Sequence, residues 1–213
     1  MQLNLGQWVV IGVCSVLILG YILGYFYNRQ RAQKIYTWLR QGLSTLGEVS
    51  IGEKLPGMAT GGRLELNQPD APLKRVEAVY LLAPRENLIF WIFHLLQGRG
   101  DELIIWINYQ SKPEQSVEVA KKGDRQFEKR LKATDKPALS RLDGQYGLQV
   151  TVEDKPGSTL AGKVQALLQR YKSNIIRLAI RPDKPHLFLR MDIRLMQSGL
   201  GADLFTALRE LIG

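Results

Sequence analysis

Residues 9–26 read VVIGVCSVLILGYILGYF, eighteen positions without one charge, opening at Val9 and closing at Phe26. An eighteen-residue helix rises about 27 Å, close to the roughly 30 Å hydrocarbon core of a bilayer. Trp8 stands at one end and Tyr25, Phe26 and Tyr27 at the other, where rings with polar edges favour the membrane–water interface. The run is apolar on every side, which separates it from a half-buried helix. Residues 1–28, a short tail and this helix, therefore read as a transmembrane anchor.

The flanks set its orientation. Residues 1–28 contain no Lys, Arg, Asp or Glu, while Arg29, Arg31, Lys34 and Arg40 follow at once. Basic residues stay on the cytoplasmic side, so the expectation is a single-pass protein of the cell membrane with its N-terminus outside and its C-terminal domain in the cytoplasm. A cleaved signal peptide fits poorly, lacking a basic leading region and a small-x-small site. Gly20 and Gly24 give a G-x-x-x-G spacing, a candidate for close helix pairing.

Just beyond the anchor, residues 29–47 read as a basic amphipathic juxtamembrane helix. Ile35, Trp38, Leu39, Leu43 and Leu46 form one stripe, and Arg31, Lys34 and Arg40 lie mainly off it. Three placements are open: resting on anionic headgroups, packed on the folded domain, or simply extending the anchor. Residues 48–62 include GEKLPGMATGG and read as a Gly-rich linker. They are no phosphate-binding loop, because no G-K-[ST] closes the pattern.

The rest of the chain aligns with itself at an ungapped offset of 72 residues, 156 − 84. Pro84 meets Pro156, Leu88 meets Leu160, and Leu95-Leu96-Gln97 meets Leu167-Leu168-Gln169. Ile104 meets Ile176 and Lys112-Pro113 meets Lys184-Pro185. Strand-like runs at 76–82, 103–109 and 116–120 match runs at 148–152, 175–180 and 187–193. Helices at 124–133 and 202–212 close the two units. The fold class expected is α+β: the anchor, then a duplicated β-α-β-β-α unit in a pseudo-two-fold α/β sandwich, with repeats at 63–138 and 139–213.

The two copies differ on their first helices. The second carries one apolar stripe, Leu160, Val164, Leu167, Leu168 and Tyr171. The first is apolar nearly all round, with Phe90, Trp91 and Phe93 where the second has Gly162, Lys163 and Gln165. Such a surface needs cover. The expected cover is another part of the same chain, with the 35–46 segment as one candidate; the alternative is a partner protein, a second copy or the membrane, which makes Phe90, Trp91 and Phe93 interface candidates.

Catalytic patterns are missing. No nucleophile elbow, zinc-protease, Walker or dinucleotide motif appears. His94 and His186 have no partner at metal-ligand spacing, and Cys14 is the one cysteine, so nothing calls for a metal, a cofactor or a disulfide. Asp101-Glu102 and Glu153-Asp154 are acidic pairs beside strands, which suits turn or solvent roles. A formal charge of +9 rests wholly on residues 29–213. Its densest part, with Lys121, Lys122, Arg125, Lys129, Arg130 and Lys132, is a candidate basic face.

The reading is a membrane-anchored interaction or scaffold protein without catalytic activity. Its partners would be the bilayer and another protein or a second copy. The alternative is a tethered domain that binds anionic lipid or nucleic acid through the basic face, with steep salt dependence.

Overall fold

A computed structural model describes residues 4–51, 61–121, 127, 129, 139–143, 148–153, 160–171, 173–194 and 200–211. The chain is α+β, with one long apolar N-terminal helix and an antiparallel sheet.

Helix α1 runs unbroken over Leu5–Leu43, 39 residues. Asn4 caps it, accepting from Gln7 N at 2.9 Å while Gln7 Oε1 accepts from Asn4 N at 2.9 Å. The apolar run and the juxtamembrane segment are therefore one helix, so the segment extends the run. Neither a proline nor a helix-stopping cap lies between them, so nothing ends the backbone ladder before Ser44. One buried stripe at spacings of three and four organises its second half. Gly24 and Asn28 are buried on it, as are Ile35, Leu39 and Leu43 further on. Of the placements open for residues 29–47, the structure has extension of the apolar helix together with packing on the domain.

Nine strands form one sheet among the described residues: β1 (Gly47–Ile51), β2 (Gly61–Pro69), β3 (Leu73–Leu81), β4 (Glu102–Tyr109), β5 (Val117–Lys121), β6 (Leu139–Asp143), β7 (Leu148–Glu153), β8 (Ile175–Ile180) and β9 (Leu187–Asp192). Their order across the sheet is β1-β2-β3-β4-β9-β8-β5-β7-β6. Helices α2 (Leu88–Leu96), α3 (Leu160–Tyr171) and α4 (Leu200–Glu210) accompany α1 among the described residues.

The expected linker at 48–62 contributes strand at both ends. β1 pairs antiparallel with β2, from Gly47 opposite Pro69 to Ile51 opposite Leu64, and residues 52–60 lie outside the described residues. The Gly and Pro content of the middle masked the apolar alternation of Val49, Ile51, Leu64 and Leu66 on either side.

The duplicated unit is not confirmed. The strands and the other helices of the two units occur nearly where the sequence placed them, while the helix expected at 124–133 lies, apart from 127 and 129, outside the described residues; the pairing of the strands differs. β3 pairs β4 directly across the α2 connection, whereas β7 and β8, joined through α3, are separated by β5. β8 and β9 form a hairpin, whereas β4 and β5 are separated by β9 and β8. Similar local strings give similar elements, but strand neighbours are chosen by long-range packing.

The register shows where the core sits. Leu66, Val76, Ile107, Leu187, Ile180 and Val117 lie side by side across six strands, and every one is buried. They join Leu39 and Leu43 of α1, Leu167 and Tyr171 of α3, and Leu204 and Phe205 of α4 in one cluster. The alternate row presents Glu65, Glu77, Trp106, Phe188 and Glu118, as the period of two requires. That second face carries cross-strand ion pairs, among them Arg63–Glu77 at 3.0 Å and Arg190–Glu102 at 2.7 Å. The molecule is thus a two-layer sandwich: helices cover one face, and charges line the other.

Candidate functional site: an apolar prong and its polar collar

Between β3 and β4 the chain leaves the sheet, makes α2, and returns. Its nine residues, LIFWIFHLL, include no buried side chain. Phe90 is 61% exposed, Phe93 54% and Leu96 80%, while Trp91 is half-buried. The 35–46 segment, the candidate named from the sequence, does not cover them. Its stripe is spent on the sheet, with Leu39 and Leu43 wholly buried there.

The two candidate pairing glycines face this excursion. A Cβ on Gly24 would stand 2.1 Å from the Arg85 carbonyl oxygen and 2.6 Å from Glu86 N. A Cβ on Gly20 would stand 3.7 Å from the Leu88 side chain. Gly24 therefore admits a backbone of its own chain, so the close approach that G-x-x-x-G permits is occupied within the molecule on this face of α1.

One turn beyond Gly24, a ring of polar groups closes around the point where the apolar run ends. Asn28 Nδ2 donates to the Ala83 carbonyl at 2.9 Å and to Glu86 Oε2 at 2.7 Å. Arg85 donates to Asn28 Oδ1 at 3.0 Å and to Asp101 Oδ1 at 2.8 Å, and its guanidinium lies over the Tyr27 ring at 4.9 Å. Arg31 reaches Asp101 Oδ2 at 3.3 Å and the Ile193 carbonyl at 2.6 Å. Asp101 itself is 1% exposed and also accepts from Ala83 N at 3.0 Å. Burial alone would raise its pKa. The Arg85 hydrogen bond, the Ala83 N–H and the charges of Arg85 and Arg31 outweigh that and hold it below the ordinary 3.8.

This collar corrects the reading of Asp101-Glu102 as a turn or solvent pair. Asp101 is the buried anion that ties α1, the entry to α2 and the end of β9 together. Glu102 points to the other face and pairs with Arg190. Nothing local in the sequence marks Asp101, because Arg31 and Arg85 come from 70 and 16 residues away.

The remaining candidates lie elsewhere. His94 is half-buried on α2. His186 is buried, accepts from Tyr109 N through Nδ1 at 3.0 Å, and stacks on the Tyr109 ring. Burial and the charges of Lys184 and Lys112 keep its pKa below the usual value. Of the basic face, Lys121 and Lys129 are exposed, while Lys122, Arg125, Arg130 and Lys132 lie outside the described residues. Among the described residues no group of three His, Cys, Asp or Glu is placed to hold a metal ion. Comparison with protein-family models found no match, and comparison with curated proteins found none either.

Proposed function

We propose that this protein is a single-pass, membrane-anchored interaction or scaffold protein without catalytic activity, its α+β domain held on the cytoplasmic face. One observation carries the reading: a single helix is both membrane-length apolar rod and core element. From Trp8 to Tyr27 the large side chains of α1 are exposed, and mean hydropathy over its best eighteen residues is 2.4. From Asn28 onward the same helix enters the collar and then the core.

That continuity also argues against a signal sequence. Cleavage after the apolar run would cut an unbroken helix at the collar and free Asn28 and Arg31 from their partners. A rigid junction suits a scaffold, because it fixes the height and rotation of the charged sheet face relative to the bilayer. The orientation rests on Arg29, Arg31, Lys34 and Arg40 following the run.

The test is a topology reporter fused after Gly213 of the full chain. Activity confined to the cytoplasm is expected. A signal from the opposite side would overturn the orientation, and release of a shortened soluble product would overturn the anchor.

A further inference from the structure

The apolar prong is large, contiguous and uncovered among the described residues, and its position names its occupant. We propose that α2 is a second membrane-inserted element, seated among the acyl chains of the same leaflet as the inner end of α1. This rests on the reading of α1 as a membrane span.

Depth is the first argument. Leu88, which opens α2, lies against Gly20, eight residues up α1 from the collar at Asn28. At 1.5 Å per residue that is about 12 Å, inside a half-core of roughly 15 Å. Any bilayer that accepts residues 9–26 of α1 therefore meets α2 at hydrocarbon level.

Charge gives the same boundary. The excursion leaves the collar at Ala83, Arg85 and Glu86 and returns to it at Asp101. Between Leu88 and Gly98 there is no Lys, Arg, Asp or Glu. Arg99 follows immediately. The charged groups sit where headgroups would be, and the uncharged ones sit where acyl chains would be.

The backbone is also prepared for lipid, where an unmet N–H is costly. Asn87 Oδ1 accepts from Phe90 N at 3.2 Å, and the Asn87 carbonyl accepts from Trp91 N at 2.8 Å. At the far end Gln97, Gly98 and Arg99 donate back to Phe93, Leu95 and His94. Nine residues rise about 13 Å, too short to cross, so the segment enters and leaves on one side. A second protein copy would need its own complementary surface, whereas lipid needs only the continuity with the exposed face of α1 that already exists.

Depth-dependent quenching on the full-length protein tests this. The native Cys14 serves as the reference for the span. A Cys14→Ser background carrying Phe93→Cys, and separately Leu96→Cys, reports on α2; both sites are exposed, so neither change opens the core. Each thiol is labelled with nitrobenzoxadiazole, and the proteins are reconstituted in phosphatidylcholine–phosphatidylglycerol vesicles with or without doxyl-labelled lipid. Quenching at positions 93 and 96 comparable with that at Cys14 is the expected result. Quenching at Cys14 but not at 93 or 96 overturns the proposal and leaves the span intact. Aqueous iodide then tells an open face from one covered by protein, and dependence on protein density identifies a second copy; either outcome rejects lipid as the occupant. Absence of quenching at Cys14 overturns the span, and this proposal falls with it.

Discussion

Gly24 is where two backbones meet, and it makes the sharpest single-residue test of the junction. A Cβ there overlaps the Arg85 carbonyl at 2.1 Å, and that carbonyl cannot retreat without pulling Arg85 from Asn28 and Asp101. At Gly20 the nearest contact is an ordinary 3.7 Å to a side chain, and at Gly12 nothing lies within 4 Å. Gly24→Ala should therefore destabilise the detergent-solubilised chain by roughly 1–3 kcal/mol or more, as overpacking does, while Gly20→Ala and Gly12→Ala change little. Equal melting temperatures for all three would mean that the 83–88 segment is not docked on α1. Asp101 offers a second test with a defined pH sign. Its carboxyl is depressed in the folded state, so its contribution is fully present above the ordinary 3.8 and is lost as pH falls through the folded value. Asp101→Asn strands two guanidinium groups and should cost roughly 3–5 kcal/mol at neutral pH, towards the lower end because Arg31 and Arg85 keep some water. The gap between the wild-type and Asp101→Asn melting temperatures should narrow as pH drops below 3.8. A gap independent of pH would refute the ionised role.

At the scale of elements, α1 does two jobs with one helix. Its amphipathic end, Ile35, Leu39 and Leu43, was legible from 3.6-residue spacing, and so was the uniform apolar run before it. Spacing alone leaves open whether they belong to one rod, because periodicity changes character at residue 28 while the backbone does not. The consequence is a domain that begins well before the Gly-rich stretch. Ile35, Leu39, Leu43 and Leu46 are each at most 7% exposed. Burying the four contributes roughly 6–12 kcal/mol at about 1.5–3 each, comparable with the net stability of a whole domain. Residues 63–213 alone should show no cooperative thermal transition, whereas residues 29–213 in detergent should show one. A sharp melt from 63–213 would return α1 and β1 to the status of accessories. β1 and β2 were missed for a related reason: their pairing spans the 52–60 stretch, and its composition dominates the local signal.

Over the whole molecule, one sheet joins what the sequence divides into two repeats. β4 pairs β9 from Glu102 opposite Asp192 to Ile107 opposite Leu187, and β5 is inserted between β7 and β8. Neither segment 29–138 nor segment 139–213 then has a complete set of strand partners. Expressed separately, each should lack stable amide protection; expressed together, they should associate and recover the melt of the intact chain. Either half folding alone would restore the independent repeat units. The sequence by itself determined the membrane-length apolar rod, the basic flank and the positions of most strands and helices. These depend on runs and periods within one segment, where hydrophobic patterning acts locally. Tertiary structure alone decided the strand order, the burial of Asp101 beneath two distant arginines, and the exposure of α2 among the described residues. Each depends on which distant segment wins a shared surface: once the α1 stripe is committed to the sheet, no part of it is left to shield the Phe90 and Phe93 face.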